Sequence, residues 1–151
     1  MNAGNPIVLA GQVLPSQVGA IVSEPAHVLC IGPGDWLIVS SEQPVPRVRE
    51  RVESDAAQQG LAIVDFTDGI ASLEVRGPGV REVLSKGCGL DLHQRRFPAG
   101  QCARTRFAQV PVVIECLAEP LRFELTVARS YYRYLYVWLT DAATEVHGSL
   151  T

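Results

Sequence analysis

The chain has 151 residues, of which 47% are apolar and 19% charged, with a formal net charge of −3. That balance fits a globular domain with a core of its own and excludes a disordered chain. The negative charge argues against a nucleic-acid partner, and no apolar run approaches the about 20 residues that a membrane-spanning helix needs.

Residues 1–26 are punctuated by Gly, Pro and Ser, and the first charge is Glu24. They read as an extended N-terminal arm with one short strand at 7–9. Such an arm has little charge to keep it solvated and must rest on something. It lacks the basic start of a secretory signal, and Pro6 and Pro15 interrupt any apolar stretch, so a cytoplasmic location is expected. From residue 27 to 151 we expect a single α+β domain. Residues 27–31 and 36–40 read as a hairpin about Gly32-Pro33-Gly34-Asp35. No third glycine stands at Leu37 and no helix follows, which makes this a turn and not a dinucleotide fingerprint.

Residues 46–59 read as a helix. Val45, Val48, Val52 and Ala56 share one stripe, Pro46 lies near the first turn and Gly60 can form a left-handed cap. Residues 61–66 are a nearly continuous apolar run, which suits a central strand. Ala71, Leu73 and Val75 alternate with Ser72, Glu74 and Arg76, which suits a strand with one wet face. A helix over 78–86 follows, with Val80, Val83 and Leu84 inward and Gly87 at its end. After a loop from 88 to 100 come strands at 102–107, 110–117 and 121–127. The last of these has Leu121, Phe123, Leu125 and Val127 on one side. A helix over 130–143 closes the chain, with Tyr131, Leu135, Trp138, Leu139 and Ala142 as its inner stripe. The order of elements predicts a two-layer α+β sandwich of mainly antiparallel sheet with about three helices.

Several side chains are candidates for chemistry. Asp65 interrupts an apolar run and Asp68 follows it. An acid in a buried strand costs free energy unless it is paired or placed at a site. The two residues can be turn acids or carboxylates for the nitrogens of a pterin. Cys88 and His93 are close enough in sequence for a thiolate–imidazole pair, but no third group orients His93, and a buried inert thiol is the commoner outcome. Cys30, Cys88, Cys102 and Cys116 form no C-x-x-C pair and are expected to be buried apolar residues. The three histidines have no metal-binding spacing.

Charge is uneven along the chain. Lys86, Arg95, Arg96, Arg104 and Arg106 face one acid, Asp91, so residues 86–106 carry +4 and the remainder −7. Arg104 and Arg106 share a strand face. With Arg95 and Arg96 they can bind a polyglutamate tail or acids on a partner, or form a solvated surface with local ion pairs. Tyr131, Tyr132, Tyr134, Tyr136 and Trp138 crowd the last helix. Tyr132, Tyr134 and Tyr136 exceed what a core stripe needs, which marks a candidate interface.

One stretch carries more than its elements. Asp65 to Asp68, Gly77-Pro78, the segment from Leu84 to Leu92 and Phe97-Pro98-Ala99-Gly100 stand in a fixed order. Gly32-Pro33-Gly34-Asp35-Trp36-Leu37 precedes them, and Phe123-Glu124-Leu125 and Arg129-Ser130 follow. This order resembles the gamma subunit family of heterotetrameric sarcosine oxidase, over roughly residues 32–143. The resemblance implies a fold related to the folate-binding domain of aminomethyltransferases such as the glycine-cleavage T protein. It implies a non-catalytic accessory subunit of an enzyme that oxidatively demethylates sarcosine to glycine, with transfer of the one-carbon unit to tetrahydrofolate. It further implies alpha and beta partner subunits that hold FAD, FMN and NAD.

Two functions therefore stand side by side. The first is the accessory subunit, whose interface includes Tyr132, Tyr134, Tyr136, Arg95 and Arg96. The second is a free-standing folate- or pterin-binding module that contacts tetrahydrofolate through Asp65, Asp68, Arg104 and Arg106.

Overall fold

A computed structural model describes residues 6–39, 46–118 and 121–148. The chain forms two compact units, Met1–Asp65 and Phe66–Thr151. The N-terminal residues are folded into the first of these units. Strands β1 (Val8–Leu9) and β2 (Gln12–Val13) form a two-residue hairpin, and Leu9 and Leu14 are buried in the core of the first unit. Gln12 is buried as well. Its side-chain amide donates to the Ala26 carbonyl at 2.8 Å, and its Oε1 accepts from the Ala26 N–H at 3.2 Å.

Strand β3 (Ile21–Val22) pairs with β4 (His27–Gly32), which pairs with β5 (Asp35–Val39), all antiparallel. The β4–β5 hairpin turns where the glycines predict it, with Gly34 at φ +71°. Trp36 donates its indole N–H to the Pro15 carbonyl at 2.7 Å. Helix α1 (Pro46–Gln58) follows. Ala56 is buried and Val52 packs beside it, as the stripe requires; Val45 and the Val48 side chain lie outside the described residues. Gly60, at φ +71°, ends the helix as expected. Its N–H bonds the Ala57 carbonyl at 3.1 Å and the Leu61 N–H bonds the Ala56 carbonyl at 2.9 Å, the paired bonds of a Schellman cap.

The predicted strand at 61–66 does not form. Leu61 packs against the first core, but Ile63, Val64 and Phe66 are 43%, 66% and 60% exposed. An apolar run becomes a strand only where a neighbouring strand accepts its backbone bonds, and residues 61–66 pair with none of the strands among the described residues.

That sheet has the order β6-β9-β8-β7 and is wholly antiparallel. Its strands are β6 (Ile70–Arg76), β7 (Gln101–Phe107), β8 (Val110–Leu117) and β9 (Arg122–Ala128). Leu73, Leu125 and Ile114 stand opposite one another across three strands and share one buried face. Helices α2 (Val80–Ser85) and α3 (Tyr132–Gly148) contribute Val80, Val83, Leu84, Leu135, Leu139, Ala142 and Val146 to the same core. The second unit is thus two layers, sheet and helices. Two details differ from the sequence reading. Leu121 lies outside β9 and is exposed. Tyr131 belongs to a 3-10 turn (Arg129–Tyr131) ahead of α3 and is exposed too, so the inner stripe runs from Leu135 to Val146.

Gly87 marks the closest approach in this layer. A Cβ there would lie 2.7 Å from the Trp138 ring and 2.8 Å from the Phe107 ring. Those rings meet edge-on at 5.0 Å and neither can retreat easily, because Phe107 is fully buried. We therefore expect Gly87→Ala to cost about 1–3 kcal/mol, the usual range for overpacking. Thermal denaturation should show the loss, and an unchanged Tm would refute the contact.

Candidate functional site

The sequence candidates fall into four places. Asp65 closes the first unit on its exposed surface. Arg49 on α1 donates to it at 2.9 Å and to Glu53, one helical turn on, also at 2.9 Å. The hydrogen bond to Glu53 comes first, and the charge of Asp65 next, in raising the Arg49 pKa above its ordinary value. Asp68 lies in the turn before β6, where its backbone carbonyl accepts from Arg129 Nε at 2.8 Å.

Arg104 and Arg106 share the face of β7 that points away from the helices, as alternation predicts, and both are exposed. Arg106 donates to the Gln109 carbonyl at 2.7 Å and so braces the β7–β8 turn. This outer face also carries a row of acids in register, Glu74, Glu124 and Glu115. Like charges directly opposite destabilise a sheet. The next row supplies the counter-charge, with Arg122 and Arg76 at 3.5 and 3.6 Å from the two oxygens of Glu74. Arg122 Nε is buried and makes no hydrogen bond of good geometry.

Cys88 and His93 are not brought together as a pair. Cys88 is buried with its sulfur 4.0 Å from the Thr105 hydroxyl, whereas His93 is exposed and its Nδ1 accepts from the Arg95 N–H at 3.2 Å. All four cysteines are buried, and none forms a disulfide. Burial pushes the Cys116 thiol up, against a smaller downward pull from the charge of Arg81. At neutral pH it stays protonated, which suits packing and not nucleophilic attack.

The residue that sequence reasoning missed is Arg81. On α2 it reaches under the loop at 88–100 and donates Nη1 to the Leu92 carbonyl and, at 3.1 Å, to the Phe97 carbonyl. Its Nη2 lies 3.6 Å from Cys116 Sγ, and the guanidinium sits 5.0 Å over the Phe123 ring. Five donors in a planar fork can satisfy several carbonyls at once, which a lysine cannot. Its only sequence signal is position, a single arginine on the second turn-facing side of a short helix. Lys86 adds a tie between helices, 2.8 Å from Glu145, and holds that carboxyl below its usual range.

The aromatic end of α3 is exposed. Tyr132 and Tyr136 stack with centroids 6.4 Å apart and planes 15° from parallel, and Val137 beside them is 49% exposed. Tyr134 leans the other way and donates its hydroxyl to the Ala108 carbonyl at 2.9 Å. A cavity of about 530 Å³ lies in the first unit, lined by apolar residues such as Leu9, Leu14 and Val28 with Arg51 and Gln12. None of the four folate candidates lines it. Among the described residues no His, Cys, Asp and Glu side chains cluster as a metal site, and no helix is long and apolar enough to cross a membrane.

The geometry defines an α+β protein in which Arg81, Arg106 and Arg129 brace its own turns and loops and whose last helix offers an aromatic surface. Comparison with known proteins narrows that class. The chain belongs to the family described as "Sarcosine oxidase, gamma subunit family", whose model matches residues 7–145. The match therefore begins well before Gly32 and takes in the N-terminal hairpin. The chain is 31% identical over 137 residues to sarcosine oxidase subunit gamma of Corynebacterium sp. (strain P-1), covering 89% of this chain and 66% of the relative. It is 31% identical over 138 residues to that of Arthrobacter sp., with the same coverage, and 27% identical over 137 residues to that of Corynebacterium sp. (strain U-96), covering 89% and 65%. It spans just under two thirds of the length of these relatives. A chain of heterotetrameric sarcosine oxidase from Corynebacterium sp. U-96, solved in complex with pyrrole 2-carboxylate, shares the fold. Its TM-score is 0.80 at 24% identity, over 93% of this chain and 77% of that one.

Replacing Arg81 by Leu should free the loop at 88–100. Two buried carbonyls would lose their donor, at about 1–3 kcal/mol each. Amide hydrogen exchange is expected to accelerate across residues 91–97 while the β8 and β9 amides stay protected. Equal protection in both proteins would show that Arg81 does not hold the loop.

Proposed function

We propose that this chain is the gamma subunit of a heterotetrameric sarcosine oxidase. It acts as an accessory subunit without catalytic residues of its own and supports assembly with alpha and beta subunits. The assembled enzyme oxidatively demethylates sarcosine to glycine, with oxygen taking the electrons and the one-carbon unit passing to tetrahydrofolate. FAD, FMN, NAD and the folate are held by the partner subunits, and the complex is cytoplasmic. The observation that carries this reading is family membership across residues 7–145.

The surface that fits partner contact best is the aromatic end of α3. Exposed tyrosines and a flanking valine on one helix give a partner large apolar area at low entropic cost, and such residues dominate interface energetics. Native assembly is the test. Co-purification from the native cells should yield a yellow complex with two larger subunits. Substituting Tyr132→Glu together with Tyr136→Glu should weaken that complex about 30-fold or more, the level of a hot spot of about 2 kcal/mol. The Tm should be unchanged, since both side chains are exposed. Normal assembly of the double variant would remove α3 from the interface.

The residues proposed from the sequence for folate are committed elsewhere or scattered. Asp65 is ion-paired with Arg49, Arg106 braces a turn, and none of the four lines the described cavity. We accordingly derive no step through folate on this chain. Isothermal titration of tetrahydrofolate into the purified chain should give no saturable heat in the micromolar range. A saturable isotherm that Asp65→Ala abolishes would instead establish a folate-binding module.

A further inference from the structure

Arg49, Arg76 and Arg122 have carboxylates beside them, and Arg81, Arg106 and Arg129 donate to backbone carbonyls. Arg95 and Arg96 are exposed, and among the described residues their side chains have neither kind of partner. Exposed arginines without a carboxylate or carbonyl partner among the described residues also stand singly on helices, as Arg51 and Arg133 do, but the turn at residues 93–96 carries two side by side.

They are also held on a fixed support. The Asp91 carboxylate accepts from the His93 N–H at 3.0 Å. The His93 carbonyl accepts from the N–H groups of Arg96 and Phe97, each at 2.8 Å, and its Nδ1 accepts from the Arg95 N–H. Leu92 and Phe97, on either side of the turn, are buried in the core, and Arg81 holds both of their carbonyls from below. Phe97 also stacks with Phe123 at 6.4 Å. Ordering a loop costs about 1–2 kcal/mol per residue in backbone entropy. Here the fold has already met that cost, for a turn that presents two guanidinium groups.

We propose that this turn is a preformed cationic contact that docks on carboxylates of a partner subunit. The inference rests on the gamma-subunit reading and deepens it by naming a second contact and its chemistry. Carboxylates are the chemistry that two guanidinium forks recognise best. The charge of the chain points the same way. Residues 86–106 carry +4 within a protein of net charge −3, so an acidic partner would be drawn to this region and repelled by the rest. A small acidic ligand fits less well, because the described cavity is lined by residues of the first unit and not by this turn. A charged contact of this kind governs the rate and orientation of encounter more than the lifetime of the complex.

The test uses the full-length chain and its native partner subunits, recombined after separation, with association followed by surface plasmon resonance. Arg95→Glu with Arg96→Glu should slow association about tenfold or more at about 50 mM NaCl and converge with wild type at about 500 mM, where the screening length falls to a few ångströms. The dissociation rate and Tm should stay close to wild type. Arg95→Gln with Arg96→Gln should fall between the two. Association of the reversed variant at the wild-type rate at low salt would overturn the inference while leaving the subunit assignment intact. Failure of the wild-type chain to bind the larger subunits would sink the assignment itself. Loss of polyglutamyl folate binding with unchanged subunit association would overturn the inference in favour of a ligand contact.

Discussion

The second unit depends on one contact, the edge-on packing of Trp138 and a fully buried Phe107 over a glycine too small to intervene. Three elements meet there. Gly87 ends the α2 segment and accepts from the Ala108 N–H at 2.8 Å. Phe107 ends β7, and Trp138 stands on α3. The β7–β8 turn beside it has Ala108 at φ +46° and Gln109 at φ +72°, a conformation that ordinarily selects Gly or Asn. Such residues cost about 1–2 kcal/mol each in the left-handed region. The turn persists because its backbone is held from three sides, by Gly87, by the Tyr134 hydroxyl and by Arg106. Local geometry is here imposed by packing and not by turn chemistry.

The same logic separates bracing arginines from presenting ones. A guanidinium that donates to backbone carbonyls is a structural tie, as Arg81 and Arg129 are. One opposite a cross-strand acid offsets repulsion within the sheet, as Arg122 does. Both uses commit the group to its own fold, and only the rest is available to another molecule. Among the described residues that remainder includes the turn at 93–96 and the exposed tyrosines of α3. A family of subunits fits that distribution, since a subunit needs surface that its own fold does not use.

The sequence was a good guide wherever a residue's role depends on its near neighbours. The β4–β5 hairpin, helix α1 with its Gly60 cap, β6, the inward residues of α2 and strand β8 all follow from period and punctuation within about ten residues. The order of short motifs was enough to name the family. Where the reading failed, a distant partner decided. The run at 61–66 has a strand's composition but pairs with no strand among the described residues, and Ile63, Val64 and Phe66 remain exposed. Tyr131 has the spacing of a core residue but falls in the 3-10 turn before the helix begins.

The candidate sites divide in the same way. The sequence by itself determined which residues are charged, which strand faces they share and that the basic ones gather between 86 and 106, because these follow from order along the chain. Only the tertiary structure decided which charges are spent. Arg81 looks like any helix-surface arginine until the loop at 88–100 folds over it, and Asp65 looks like a buried acid until Arg49, sixteen residues earlier, pairs with it. Whether a guanidinium is a tie or a free contact depends on acceptors brought near by folding, and no local pattern encodes them.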